Sequence, residues 1–136
     1  MKVFLGGTCN ESTWREQLIS LLKCDYFNPV VEDWTPECVE NEYREKSIAD
    51  YQLFVITPEA TGCFSIAELI DASNKVPEKT LCALLGSWNS NNSVENEKLV
   101  GRFMSFNNCL NIAESNGAKR FYTLKNIAEF LNEMAD

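Results

Sequence analysis

Ser65 and Glu68 stand three residues apart in Phe64-Ser65-Ile66-Ala67-Glu68-Leu69-Ile70. On a helix that spacing sets both side chains on one face. A carboxylate so placed can attack an electrophilic carbon, and a hydroxyl beside free helix-start N–H groups can bind an anion. Ser-x-x-Glu is also a capping box. Thr13-Trp14-Arg15-Glu16 has the same form with no chemistry attached, so by spacing alone capping is the stronger reading. A second acid, Glu42, sits in Val39-Glu40-Asn41-Glu42-Tyr43-Arg44-Glu45-Lys46. Its mingled charges predict a solvated helix face with ordinary i, i+4 pairs. Asp50 reads most simply as a turn residue closing that helix. Trp34 reads as a loop side chain that packs the core or rim, or else covers a planar ligand. Gly6-Gly7-Thr8 is neither G-x-G-x-x-G nor a P-loop, since no G-K-[ST] follows. It is a tight turn that would also let a ligand come close to the backbone.

Absences narrow the chemistry further. The chain has no histidine, which excludes Ser-His and Cys-His nucleophile pairs and any histidine-based metal site. Its six cysteines are spread one per segment with no C-x-x-C pair, a pattern of reduced thiols acting mostly as small hydrophobes. Carboxylates, hydroxyls, amides and backbone are left to do the work. With 20 acidic against 12 basic residues, the net charge of -8 weighs against a nucleic acid or an anionic membrane surface as partner. No apolar run approaches the roughly 18 residues of a membrane span. The expectation is therefore a soluble, cytoplasmic protein, with one domain over residues 1–136.

The elements that must position these groups follow from periodicity. Strands are expected at Val3–Leu5, Tyr26–Val31, Leu53–Ile56, Thr80–Leu85 and Lys119–Tyr122. Helices are expected at about 12–24, 38–49, 64–75, 95–115 (with a break near Phe106-Asn107-Asn108) and 124–134. Fivefold strand–helix alternation implies an α/β fold with a mainly parallel five-stranded sheet. Right-handed crossovers favour a flavodoxin-like three-layer sandwich with strand order 2-1-3-4-5. Ligands in such folds bind at the carboxyl ends of the strands, beside the switch between strands 1 and 3. That rule nominates Gly6 to Asn10 and Thr57 to Ser65 before any motif is read.

These pieces in their order resemble the nucleoside 2-deoxyribosyltransferase family. The elements are Gly6-Gly7 before Trp14-Arg15, Asn28-Pro29-x(4)-Trp34, Glu42-x(7)-Asp50-x(2)-Leu-Phe-Val-Ile, and Ser65-x-x-Glu68-Leu69. The likeness covers roughly residues 2–86. It implies Glu68 as a nucleophile that attacks C1′ of a 2′-deoxynucleoside and holds a covalent deoxyribosyl intermediate, which a second base or water then resolves with retention. It implies Glu42, where the better-studied branch has Asp, as the acid that orients the nucleophile and assists proton transfer. Gly6, Gly7, Thr8, Trp34, Asp50 and Ser65 would line or support the substrate pocket. No cofactor and no metal are implied, and the partner is a small-molecule nucleoside or nucleotide.

The chain departs from the family pattern around the nucleophile, where Gly-x-Gly-x-Glu-Leu-Gly is replaced by Phe64-Ser65-Ile66-Ala67-Glu68-Leu69-Ile70. Bulk at Ile66 and Ile70 would narrow the site. Family members often complete the pocket from a neighbouring subunit, so a homo-oligomer is expected, with Asn89, Asn91 or Asn92 as the candidate amide. Two rival activities stay open: an N-glycosidase of deoxynucleoside 5′-monophosphates, and a catalytically silent nucleotide-binding module. A bare interaction module on the same scaffold is a third reading.

Overall fold

Side chains along a strand point alternately to opposite faces, and in the central strands of this chain both sets are apolar. Such strands need cover on both sides. The computed structural model, which describes residues 1–136, supplies it with helices on both faces. Its elements are β1 (Lys2–Gly7), α1 (Trp14–Ile19), β2 (Asp25–Phe27), α2 (Pro36–Ile48), β3 (Tyr51–Ile56), α3 (Phe64–Lys75), β4 (Thr80–Leu84), α4 (Ser93–Ser115), β5 (Lys119–Phe121) and α5 (Leu124–Ala135). The five strands form one sheet in the order β2-β1-β3-β4-β5, and every neighbouring pair is parallel. The expected three-layer α/β architecture and strand order are both found.

The period-2 alternation decides which helices each strand residue meets. Val3, Leu5, Leu53, Val55, Leu81 and Ala83 join Trp14 and Leu18 of α1 and Ile127 and Leu131 of α5 in one core. Phe4, Phe54, Ile56, Cys82 and Leu84 join Leu69 of α3 and Leu99 and Leu110 of α4 in the other. All six cysteines are free thiols. Cys82 lies wholly within the second core, where burial pushes its thiol up to about 12.

Several boundaries differ from expectation for local reasons. The first helix is shorter than 12–24. After Ile19 the chain tightens, with the Leu21 and Leu22 N–H groups donating three residues back to the Leu18 and Ile19 carbonyls. β2 ends at Phe27, ahead of Pro29, which has no N–H to donate; the Asn28 side chain then accepts from the Val30 N–H in a turn around the proline. α4 runs unbroken through Phe106-Asn107-Asn108. Asn107 and Asn111 on its flank accept from the Arg120 guanidinium instead of competing for the helix backbone.

Candidate functional site

At the carboxyl ends of β1 and β3, where parallel strands leave a crevice, a cavity of about 270 Å³ opens. Gly7, Thr8, Cys9 and Asn10 wall it on the β1 side; Ile56, Ala60, Thr61, Gly62, Phe64, Ser65 and Ile66 wall it on the β3–α3 side; Phe106 of α4 closes it. Its size is at the small end of ligand clefts, which run from roughly 300 Å³ upward.

The two loops that form the cavity are locked to each other. Thr8 is buried, its N–H donating to the Val55 carbonyl at 2.9 Å and its hydroxyl accepting from the Thr57 N–H at 3.0 Å. The Asn10 amide donates to the Thr61 hydroxyl at 2.8 Å and to the Glu59 carbonyl at 3.1 Å. Ser12 and Thr57 hydroxyls meet at 2.8 Å. The glycines are required by this close approach. Gly7 has φ +117 and backs onto Val55, so a Cβ there would collide with the Val55 backbone. A Cβ at Gly6 would fall 2.7 Å from the Phe54 ring.

Arg15, whose partners were not legible in sequence, holds the β1 turn from below. Its buried guanidinium donates to the carbonyls of Leu5 (2.9 Å), Thr8 (2.6 Å) and Gly7 (3.2 Å), and Trp14 Nε1 donates to Thr8 as well. Burial pulls the Arg15 pKa down, while Cys9, Glu16 and Glu42 oppose that shift.

The acids stand beside this cavity, not in its wall. α3 begins at Phe64, with Cys63 at the N-cap and no side-chain cap bond. Glu68 therefore lies in the second helical turn, and Ser65-x-x-Glu68 is not a capping box. Thr13 makes no cap bond either, its hydroxyl accepting instead from the Gln17 amide. Freed from capping, the Glu68 carboxylate enters the groove between α2 and α3, lined by Tyr43, Lys46, Ser47, Gln52 and Asp71. There its Oε2 lies 2.8 Å from Lys46 Nζ, with the two side chains only 9% and 18% exposed.

Glu42, one turn before Lys46 on α2, is the electrostatic neighbour of that pair. Burial raises its carboxyl pKa and the Glu68 charge raises it further, against the opposing pull of Lys46 and Arg15. The expected i, i+4 pairing along α2 is not what the charges do. Lys46 reaches across to Glu68 on α3, and Glu45 reaches across to Lys2 on β1 at 2.7 Å.

The remaining expectations fall differently. Ser65 and Ile66 line the cavity, and Ile70 packs against the core beneath α3 instead. Asp50 accepts from the Lys2 N–H at 2.8 Å, at the amino edge of the sheet. The whole length of β3 separates it from the cavity. Trp34 is 68% exposed on the loop before α2 and is neither in the core nor in the cavity wall. Asn92 is occupied as the N-cap of α4, accepting from the Glu95 N–H. Phe106 and Lys46 were the site residues that the reading of the sequence missed. No periodic signal marks Phe106; for Lys46 the signal was its i+4 spacing from Glu42.

No group of three or more cysteine, aspartate or glutamate side chains is arranged to hold a metal ion. No helix is long and apolar enough to cross a membrane. A family model described as nucleoside 2-deoxyribosyltransferase like matches residues 1–85, a span that contains every residue of the cavity and the acid groove except Phe106, Asp71 being included. No curated protein matches the chain.

Proposed function

The chain belongs to the nucleoside 2-deoxyribosyltransferase-like family, and from that premise we propose that it cleaves or exchanges the N-glycosidic bond of 2′-deoxynucleosides with Glu68 as nucleophile. One observation carries the reading: two carboxyl groups with contrasting surroundings lie close enough for the charge of one to act on the other. Glu68 is ion-paired with Lys46, whereas Glu42 is pushed toward its protonated form by burial and by the Glu68 charge. Carboxyl groups whose environments are pulled apart in this way divide into one that acts as a base or nucleophile and one that donates a proton.

In this mechanism the Glu68 carboxylate attacks C1′ as the C1′–N bond breaks. The bonding pair leaves with the base, which takes a proton from Glu42. A deoxyribosyl cation has no 2′-hydroxyl to withdraw electrons, so positive charge develops at C1′ relatively easily and one carboxylate can stabilise it. A second base, or water, then gives a proton to Glu42 and attacks C1′ from the face that the first base left, breaking the Glu68–C1′ bond and restoring the original configuration. The cavity of Gly7, Thr8, Asn10, Thr61 and Ser65 would receive the nucleoside, with Phe64 and Phe106 as apolar faces for a planar base.

A second reading takes a deoxynucleoside 5′-monophosphate and transfers the sugar to water. It is favoured by Ser65, whose hydroxyl lines the cavity at the first turn of α3, where helix N–H groups suit a phosphate. The deciding experiment incubates the protein with deoxyadenosine, deoxyguanosine, deoxycytidine or thymidine, or their 5′-monophosphates, with and without a second free base. Chromatography for new deoxynucleosides identifies exchange. Free base appearing only from monophosphates supports the second reading, and no turnover of any of them overturns both.

A further inference from the structure

We infer that Lys46 is a positioning residue for the reacting acids, a fixed cation that exchanges its carboxylate partner from Glu68 to Glu42 as the sugar is transferred. The inference rests on the catalytic reading of Glu68 and deepens it. Lys46 is placed for both partners. Its ammonium is 2.8 Å from Glu68 Oε2 across the groove, and it lies four residues after Glu42 on α2, the spacing and order at which a glutamate and a lysine pair best. The Lys46 ammonium also lies 5.1 Å from the Tyr43 ring centroid and 5.9 Å from that of Phe4, contacts that hold it where both acids can be reached.

Charge balance explains why one cation should serve. The proposed step starts from an ionised Glu68, a proton on Glu42, which burial and the Glu68 charge favour, and the Lys46 ammonium, a sum of zero. Attack forms the Glu68 Oε–C1′ ester bond and breaks C1′–N, which removes the negative charge from Glu68. The proton passed to the leaving base creates a negative charge on Glu42. The sum is again zero, and Lys46 lies one helical turn from the new carboxylate on α2. Without the cation, two neighbouring acids would have to share a proton, and the nucleophile would be neutral for part of the time. The other charged or titratable groups are Tyr43 of α2, Asp71 and Lys75 of α3, which line the same groove, and Arg15 of α1, whose charge reaches Glu42. β3 contributes the neutral Gln52.

The test replaces Lys46 by Gln and by Met, which remove the charge, and by Arg, which keeps it. Carbon-13 NMR of the glutamate carboxyls follows the titration of Glu42 and Glu68 with no substrate present. The expected result is an upward move of about one pH unit or more in the combined Glu42 and Glu68 titration for Lys46→Gln and Lys46→Met, reversed in Lys46→Arg. In base exchange the uncharged variants should lose about tenfold or more in kcat at neutral pH with little change in KM, and regain rate as pH rises. An unmoved carboxyl titration, or a wild-type kcat in both uncharged variants, would overturn the role of Lys46. A Glu68→Gln protein that still exchanges bases would instead overturn the catalytic reading itself.

Discussion

At the scale of single residues, the question is what Glu68 does once capping is excluded. A nearly buried carboxylate paired across a groove is costly to desolvate, and the fold gains little from it that an apolar side chain would not supply. Glu68→Ala is expected to abolish base exchange by several orders of magnitude while the protein stays folded. The stability cost should be about 1–2 kcal/mol, below the 3–5 typical of a fully buried pair, because Glu42 remains as a partner for Lys46. Thermal melting beside an exchange assay checks both. A variant that melts lower yet exchanges normally would reduce Glu68 to a structural acid. Glu42 gives a second prediction through pH. Its folded pKa is raised by burial and by the Glu68 charge, so between the ordinary value of 4.5 and the raised one the folded state binds more protons than the unfolded. Stability from this group is then full below the ordinary value and lost as pH rises through the raised one. Glu42→Gln should remove that loss, leaving the variant relatively more stable at neutral than at acid pH in denaturant titrations. An identical pH dependence in both proteins would contradict it.

At the scale of elements, α2 differs from its neighbours. α3, α4 and α5 each bury apolar side chains in a core, each worth about 1.5–3 kcal/mol when fully buried. α2 has no buried residue. It is attached through Lys2–Glu45, Lys46–Glu68 and the Gln52 amide on the Lys46 carbonyl, while Tyr43 and Ile48 stay exposed. Such contacts are weaker and more sensitive to salt than a packed stripe. The helix that presents Glu42 and Lys46 should therefore open more readily than the sheet that presents the cavity. In hydrogen exchange, α2 amides are expected to exchange faster than those of α3 and α4, and faster still at high salt. Protection of α2 equal to that of α3 would refute this.

At the scale of the whole molecule, apolar surface remains outside both cores. Val30, Val31, Trp34, Tyr43 and Ile48 are exposed around β2 and α2, Phe64 and Val94 at the starts of α3 and α4, and Phe103 and Met104 midway along α4. The Trp88 ring packs at an angle against Phe103 and edge-on against Phe106, so the second patch adjoins the wall that closes the cavity. Together with the family membership, this supports the proposal of a homo-oligomer whose neighbour helps to complete the pocket. Light scattering at high protein concentration should give at least a dimer. A monomer there would count against the proposal.

Sequence alone determined the sheet order, the two-faced core and the end of the sheet where the cavity lies. Those properties follow from patterns that repeat every two or 3.6 residues and act through local backbone geometry: Val3, Phe4 and Leu5 alternate between faces whatever else the chain contains. It also brought Glu42, Ser65 and Glu68 forward as the residues to examine. Tertiary structure decided what those residues touch. Glu68 and Lys46 are 22 positions apart on different helices, and neither periodicity nor capping rules describe a pair that forms only when α2 and α3 lie side by side. The surroundings of Asp50 and Trp34 were decided in the same way. Asp50 meets Lys2, 48 positions away, and the exposure of Trp34 depends on a loop whose course no local pattern dictates. Long-range partners are chosen by packing, where one ion pair of 2.8 Å can outweigh the helix-face pairing that spacing along α2 would favour.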